Sequence, residues 1–320
     1  MDTPVAVPVP RLDPRKFRDP DVTAKGEARA SVEFRGFGTL WFNTGTLCNL
    51  ACVTCYIESS PRNDSLVYLT HAEVLGYLDE MERTRERADE IGFTGGEPFM
   101  NPDFVPMLES CLSRGYRVLV LTNAMRPMMK QAEPLLDLRR RWGERLVMRV
   151  SLDHYGRDLH EIERGPRSWE PTMKGLRWLA EHGFAVHVAG RLKWGEREES
   201  MRAGYARLFA ELGLATDAAD PAELMLFPEM DAQVDVPEIT TACWGILGKS
   251  PDDMMCATSR MVVKHRGADR PTVVACTLLP YDPQFDMGGT LAEASRAVKL
   301  NHPHCAKFCV LGGASCSKTG

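Results

Sequence analysis

Three features are missing from this 320-residue sequence, and each absence excludes a class of protein. No apolar run approaches the ~20 residues of a membrane-spanning helix, so we expect no membrane insertion. The formal net charge of −5 at pH 7 lacks the basic excess of a dedicated nucleic-acid binder. The N-terminus, Met1-Asp2-Thr3-Pro4, lacks a signal-peptide pattern, which predicts a cytoplasmic protein. Ten cysteines in that reducing compartment indicate metal or redox chemistry rather than disulfides.

A fourth ligand is also missing from the most compact cysteine group. Cys48, Cys52 and Cys55 lie within one short segment, directly after a strand-like run at residues 39–42. A closed structural zinc or iron–sulfur site takes four ligands, and no other Cys or His is close in sequence. Three thiolates would hold three irons of a cubane and leave the fourth iron open to a substrate or cofactor. Half of a zinc site, or chance spacing, is the alternative.

A second motif, Thr94-Gly95-Gly96-Glu97-Pro98, follows a short apolar run at residues 90–93. Consecutive glycines let the backbone approach a ligand closely, and Glu97 can accept a hydrogen bond from a ligand ammonium group. Taken alone, this motif is also compatible with an ordinary turn. Together and in this order, the two motifs resemble those of the radical S-adenosylmethionine superfamily, in which a three-cysteine loop follows the first strand of a partial barrel and GGEP follows the second.

The resemblance implies a [4Fe–4S] cluster on Cys48, Cys52 and Cys55, with S-adenosylmethionine chelating the open iron. The Gly95-Gly96-Glu97 segment would hold the methionyl amine of that cofactor. The implied reaction is reductive cleavage to methionine and a 5′-deoxyadenosyl radical, which abstracts hydrogen from a substrate. An external donor such as flavodoxin or ferredoxin would supply the electron. The cofactor carries the difficult chemistry, while the protein orients it and excludes water.

Strand-like runs alternate with amphipathic helical runs over most of the chain. The predicted strands are residues 39–42, 90–93, 117–121, 146–151, 185–189 and 223–227. The predicted helices include residues 71–82, 103–113, 168–181 and 198–211. Because each parallel crossover needs a helix, six such units predict an α/β fold, a partial (β/α)6 barrel with its site at the C-terminal strand ends.

Three domains are predicted along the chain. Residues 1–34 are rich in proline and charge and predict an extended arm over the main domain, with a partly disordered leader as the alternative. Residues 35–235 hold the alternating pattern of the barrel. Residues 236–320 predict a small cysteine-rich α+β domain.

Candidate residues at later strand ends come from the same resemblance. Asn123 ends the third strand and resembles a ribose-contacting Asn, although a turn-forming Asn fits the sequence equally well. Ser151, in a Ser-Leu-Asp segment, would face the ribose or carboxylate of the ligand. Arg164 stands where many peptide-modifying members place an arginine on the methionyl carboxylate. A solvated loop residue is the alternative for Arg164.

Two points concern the substrate side of this predicted site. The residue before the third cysteine is usually aromatic in the family, whereas this chain has Thr54 there and an aromatic residue only at Tyr56. This departure puts the adenine contact in question but not the cluster. Arg191 and Lys193 follow the fifth strand, where substrate would be met, and we assign them no catalytic role.

The remaining cysteines gather in the last third of the chain. Cys256 and Cys276 flank a predicted hairpin of residues 261–264 and 272–276, which would bring their thiols together. The C-terminal tail adds Cys305, Cys309 and Cys316. This tail resembles the SPASM/twitch domains that carry auxiliary [4Fe–4S] clusters. The full SPASM pattern uses seven cysteines for two clusters, so we expect one cluster here, on Cys256, Cys276 and two of the three tail cysteines. A zinc ribbon is the alternative, because spacing does not distinguish the two metals.

The substrate is the least defined part of this interpretation. Members with such a tail often modify peptides, so the resemblance implies a peptide or protein substrate. A small-molecule or cofactor precursor is the alternative, and the lack of a winged-helix-sized recognition module near the N-terminus counts toward it. A protein of another class, a non-catalytic iron–sulfur electron carrier or zinc scaffold, would give no role to Gly95-Gly96-Glu97.

Overall fold

A computed structural model describes residues 10–313 of the chain, so Cys316 lies outside the described residues. Its centre is one mainly parallel eight-stranded sheet, in the order β7-β6-β5-β4-β3-β2-β8-β9. The strands are β1 (Ser31–Val32), β2 (Thr39–Asn43), β3 (Glu90–Thr94), β4 (Arg117–Thr122), β5 (Leu146–Ser151), β6 (Ala185–Leu192), β7 (Leu224–Pro228), β8 (Ser259–Val263), β9 (Thr272–Val274) and β10 (Val298–Lys299). The α/β class and the parallel sheet confirm the predicted fold.

Helices connect successive parallel strands. They are α1 (His71–Thr84), α2 (Phe104–Ser113), α3 (Arg126–Met129), α4 (Ala132–Trp142), α5 (Arg157–Arg164), α6 (Trp169–Glu181), α7 (Glu198–Leu212), α8 (Cys243–Leu247), α9 (Met255–Thr258) and α10 (Leu291–Ala294). A π-helical segment, Cys305–Leu311, follows near the end of the described chain. The four predicted helices correspond to α1, α2, α6 and α7. Helices α3, α4 and α5 were not among those the sequence predicted.

Local sequence explains how the first units form. Helix α1 begins with a capping box, in which Thr70 accepts from the backbone of Glu73 and the Glu73 carboxylate accepts from the backbone of Thr70. Strand β2 is buried at every position, as expected for a parallel strand covered on both faces. Gly92 in β3 makes room for the indole of Trp41, because a Cβ there would lie 2.4 Å from the ring. That indole lines the cleft described below.

The predicted hairpin of the tail continues the barrel sheet. Strand β8 pairs in parallel with β2, with Leu40 opposite Arg260, and β9 pairs antiparallel with β8. Cys256 lies in α9 just before this hairpin, and Cys276 follows β9. The tail is therefore joined to the first barrel strand, while the boundary at residue 235 stays a prediction.

The described part of the N-terminal arm, from residue 10, lies along the segment that leaves β7. Leu12 donates a backbone hydrogen bond to Gln233, and Arg29 forms a buried ion pair with Glu238. Strand β1 pairs antiparallel with β10, so the arm also contacts the tail. None of the helices within residues 10–313 combines the length and the hydrophobicity that a bilayer span requires.

Candidate functional site

A cleft of about 1090 Å³, counted to its open mouth, lies at the C-terminal ends of the barrel strands. The wall of this cleft contains eight of the predicted barrel-site residues: Cys48, Cys52, Cys55, Gly95, Gly96, Asn123, Ser151 and Arg164. Parallel strands direct their carboxyl ends to one edge, which is why residues from distant parts of the sequence meet there. Glu97 is the predicted residue that does not line the cleft.

The three thiols of the loop are set for metal rather than for disulfide formation. None of the nine described cysteines is in a disulfide. Burial raises the pKa of Cys48 to about 12 and also raises that of Cys52. Backbone N–H groups of Leu50 and Ser59 donate to the sulfurs of Cys48 and Cys55. Such donors stabilise negative sulfur, and the thiols gain that charge on binding iron.

The two glycines of the second motif pack against the cysteine loop. A Cβ on Gly96 would lie 2.2 Å from the carbonyl oxygen of Leu47, and one on Gly95 would lie 2.7 Å from that of Gly45. Gly95 also adopts a φ of +147°, which side-chain-bearing residues rarely do. Gly96 and Glu97 donate backbone hydrogen bonds to Gly45 and Leu47. The sequence predicted close approach to a ligand; the structure adds a close approach to the loop that carries Cys48.

The Glu97 carboxylate accepts three hydrogen bonds from the protein itself. It accepts from the Thr122 hydroxyl and the Asn123 backbone, at 2.8 Å each, and from the Phe99 backbone. Burial raises the pKa of this carboxyl to about 7. The carboxylate thus ties the end of β3 to the end of β4. Its predicted contact with a ligand ammonium group stays a prediction.

Asn123 supports the cysteine loop from the opposite side. Its amide nitrogen donates to Asn49 at 3.0 Å and approaches the sulfur of Cys48 at 3.9 Å. Its amide oxygen accepts from the backbone of Met125, which is the Asx-turn geometry that the alternative reading described. The predicted ribose contact and the turn role are therefore compatible, because Asn123 still lines the cleft.

Two arginines share one buried carboxylate beside the cleft. Asp153 accepts from Arg164 at 2.5 Å and from Arg191 at 3.0 Å. Although burial alone would raise it, the pKa of Asp153 is held below its usual value by the two guanidinium groups. Arg164 ends α5 with its side chain 12% exposed, so it is not a solvated loop residue. Arg191 also donates to Thr54 and Tyr56, which fastens the cysteine loop to β6.

A second buried carboxylate holds the same loop. Glu163 is 1% exposed and accepts from both the backbone and the hydroxyl of Thr54, at 2.8 and 2.5 Å. Its other oxygen accepts from Lys193 at 2.7 Å. Thr54 therefore makes polar contacts at the position where the family has an aromatic side chain.

Four thiols line a second cavity in the tail, of about 400 Å³ counted to its open side. They belong to Cys256, Cys276, Cys305 and Cys309, and the other lining residues are His304 and apolar side chains. Burial raises the pKa of Cys256 to about 11 and that of Cys305 well above its usual value. The backbone of Leu278 donates to the sulfur of Cys276. Cys243 does not line this cavity; its sulfur accepts from the backbone of Thr240.

The donor sets of the two cavities fit the clusters that the sequence predicted. Three thiols, two of which accept from backbone N–H groups, face a cleft that has room for an exchangeable ligand, and four thiols line a smaller, mainly apolar space. Within residues 10–313, no three His, Cys, Asp or Glu side chains converge closely enough to hold a single ion. The tail thiols are thus spaced too widely for a single metal ion.

One short segment separates the two cavities. Leu278 lines both of them, and Thr277 lines the barrel cleft. The Tyr281 hydroxyl donates to the carbonyl of Ile57, next to the cysteine loop, at 2.9 Å. The tail therefore forms part of the wall of the barrel cleft.

Sequence reasoning missed Glu163 and the clamping roles of Asp153 and Arg191. Glu163 lies in a run of charged residues that reads as a solvated helix, and nothing local shows that it is buried. Asp153 was visible in the Ser-Leu-Asp segment and Arg191 at a strand end. Their pairing depends on strand order, which the local pattern does not contain.

Comparison with known proteins agrees with this geometry. The family model described as the Radical SAM superfamily matches residues 42–201, half of the chain. The subtilosin biosynthesis protein AlbA of Bacillus subtilis is 31% identical over 150 residues, 44% of this chain and 30% of that protein. The mycofactocin maturase MftC of Mycobacterium tuberculosis is 30% identical over 138 residues, 43% of this chain and 33% of that one. The matches thus span about a third of each curated relative.

A solved structure shows the same fold. Streptococcus suis SuiB, bound to its precursor peptide SuiA, has a TM-score of 0.58 at 13% identity, covering 79% of this chain and 62% of that one. The chain belongs to the Radical SAM superfamily. It is a radical SAM enzyme, of a family that uses a [4Fe–4S] cluster and S-adenosylmethionine. The family, the enzyme class and these two cofactors confirm the predictions from the motifs.

Proposed function

We propose that this enzyme modifies a peptide or protein and carries a cluster at each of its two cysteine sites. The observation that carries the two-site proposal is the shared wall at Leu278, since it makes the four-thiol cavity a neighbour of the barrel cleft. This position favours a role in the reaction over a purely structural one.

In the barrel cleft, Cys48, Cys52 and Cys55 would hold the cluster and leave the cleft side for S-adenosylmethionine. When bound, the pair supplies a 5′-deoxyadenosyl radical that abstracts hydrogen from substrate. Arg164 offers its remaining guanidinium N–H groups to the methionyl carboxylate, while Asp153 keeps the guanidinium oriented. Ser151, half-buried in the cleft wall, offers a hydroxyl to the ribose or carboxylate.

In the tail cavity, Cys256, Cys276, Cys305 and Cys309 would hold the second cluster. Bound there, it would supply a one-electron acceptor beside the cleft. Leu278 and the other apolar lining residues limit the access of water to the tail side of the wall. A closed set of four thiols leaves no open position, which favours an electron-transfer role over substrate ligation.

The relatives support a peptide substrate. AlbA is named for the biosynthesis of a bacteriocin, and it matches 44% of this chain. Two exposed apolar side chains add a physical reason. Val53 and Ile162 are 73% and 62% exposed, and they lie one residue after Cys52 and two before Arg164, which line the cleft. Their segments are joined by a hydrogen bond from Val53 to Glu163. Exposed apolar side chains beside cleft-lining residues suit contact with a macromolecule more than with a small polar molecule.

The test is anaerobic turnover of the reconstituted protein with dithionite and S-adenosylmethionine. Slow formation of 5′-deoxyadenosine and methionine is expected without substrate, and faster formation with a short precursor peptide, for which any short open reading frame next to the gene is the first candidate. Mass spectrometry of that peptide should show a change in step with 5′-deoxyadenosine. Stimulation by a small-molecule precursor instead would favour the alternative substrate class. An iron-replete protein that makes no 5′-deoxyadenosine would contradict the proposal.

A further inference from the structure

Arg260 is a buried cation next to the four-thiol cavity. It lies on β8, is 1% exposed, and directs its guanidinium N–H groups at backbone carbonyls. Nε donates to Ala294 at 2.8 Å and Nη2 to Arg296 at 2.9 Å. Nη1 donates to the carbonyls of Cys256 and Ser259, at 2.5 and 2.7 Å. The guanidinium therefore contacts the backbone of one of the four proposed ligands.

No carboxylate balances this charge. Within residues 10–313, Arg260 forms no ion pair with Asp or Glu, and its other close neighbour is the ring of Phe34, at 4.3 Å. The other buried arginines near the two sites obey the usual rule that a buried charge is paired. Arg29 pairs with Glu238, and Arg164 and Arg191 share one aspartate. Arg260 is the exception, and an unpaired buried cation is costly.

The proposed tail cluster lies close to this cation, because Nη1 of Arg260 donates to the carbonyl of Cys256, one of the four proposed ligands. Four thiolates on a [4Fe–4S] core leave a net charge of about −2 in the oxidised state, set in a cavity whose other walls are largely apolar. Such a cluster would need a counter-charge of the kind that this guanidinium offers.

We propose that Arg260 is the built-in counter-ion of the tail cluster and holds its reduction potential up. The inference rests on the proposed auxiliary cluster. Reduction adds one negative charge to the cluster, and a nearby buried cation favours that step. Arg260 acts through the electrostatic field and the Cys256 backbone, so it is a tuning residue rather than a catalytic one.

A purely structural role is the competing explanation. The four carbonyls that Arg260 contacts lie in α9 and α10 or just after them. In this explanation, the guanidinium serves only to donate hydrogen bonds to these carbonyls. Arg260→Lys and Arg260→Gln separate the two roles. Lysine keeps the charge and loses most of the fork of donors, whereas glutamine keeps an amide donor and loses the charge.

The experiment is an EPR-monitored redox titration of both clusters in the intact protein, with the barrel cluster as internal reference. Arg260→Gln should lower the equilibrium constant for reduction of the tail cluster at least tenfold. For a one-electron couple, this is a fall in reduction potential of at least 59 mV. Arg260→Lys should stay nearer the wild type despite weaker hydrogen bonding. Arg149→Met is the matched control, since Arg149 is buried and donates to the carbonyl of Ala222 but lines neither cysteine cavity. It should move neither potential.

Each other outcome has a meaning. Unchanged tail potential in Arg260→Gln, or equal shifts in the Lys and Gln variants, would overturn the counter-ion role. If the Gln variant folds but loses tail iron while the Lys variant keeps it, the charge requirement is supported. Equal loss of tail iron in both would show that donor geometry, not charge, matters. Wild-type protein with four irons, or with zinc in the tail, would refute the auxiliary cluster itself before any variant is made.

Discussion

The two cysteine sites of this chain differ in the number of thiols and in the residues that line them. The barrel site has three thiols on one loop, and polar groups from four strands and α5 surround it. The tail site takes four thiols from three segments and is lined mainly by Met, Leu, Phe and Val. The first therefore has polar groups in its lining, whereas the lining of the second is almost wholly apolar.

This difference shows where each site obtains its rigidity. The barrel loop has little apolar packing of its own, so two buried carboxylates fix it through Arg191 and Thr54. The tail site is fixed by its four attachments to the chain and by core packing. An open coordination position therefore comes with a polar support, and that support can be broken one contact at a time.

The largest effect is expected from removing the barrel ligands. Replacing Cys48, Cys52 and Cys55 by Ser should lower the iron content from about eight to about four per chain and abolish cleavage of S-adenosylmethionine, because each cubane holds four irons. Iron analysis and assay of 5′-deoxyadenosine measure the two effects. Full iron content in the triple variant would show that the loop does not hold a cluster.

The corresponding experiment on the second site replaces the tail ligands. Cys256→Ser with Cys276→Ser should also lose about four irons but should retain slow, substrate-free formation of 5′-deoxyadenosine, while turnover of the peptide stops. Melting temperature should fall as well, because metal binding contributes to folding of the tail. Retention of peptide turnover would remove the electron-transfer role. Tightly bound zinc in the wild-type tail would support the ribbon alternative.

The sequence predicted the residues that line the barrel site better than the buried ion pairs that hold its cysteine loop. Strand ends and the three-cysteine loop are local patterns, so residues such as Asn123 and Ser151 could be placed at one edge of the sheet without the structure. The parallel pairing of β8 with β2 is not local, because a hairpin specifies its own partner strand and not the strand beside which it packs. The burial of Arg260 depends on that assembly. The burial of Glu163 depends on the packing of α5 against the cysteine loop and Lys193, which is not a local pattern either.

A smaller effect is expected from Gly96→Ala, which tests the contact between the two motifs. The new Cβ would overlap the carbonyl of Leu47, so the cysteine loop must move and barrel iron should be held less tightly. Gly76→Ala is the matched control, since Gly76 is exposed on α1 with nothing within 4 Å. That control should be neutral or stabilising by about 0.5–1 kcal/mol. Equal iron retention in the two variants would mean that Gly96 is not required by packing.

The smallest effect is expected from Thr54→Val, which removes one hydroxyl donor from Glu163 and keeps the backbone N–H and Lys193 as its partners. Loss of one hydrogen bond to a buried charged group costs about 1.5–3 kcal/mol. We expect faster loss of iron from the barrel site in the presence of a chelator, with the tail cluster unaffected, because the contact between Thr54 and Glu163 holds one loop.

Two variants serve as controls. Thr84→Val, at the exposed end of α1, should change the free energy of unfolding by no more than about 0.5 kcal/mol. Thr54→Ser should behave as the wild type, since it keeps the hydroxyl. If Thr54→Val loses iron from both sites alike, the contact between Thr54 and Glu163 is a general stabiliser of the fold and the contrast between the two sites is weaker than their linings indicate.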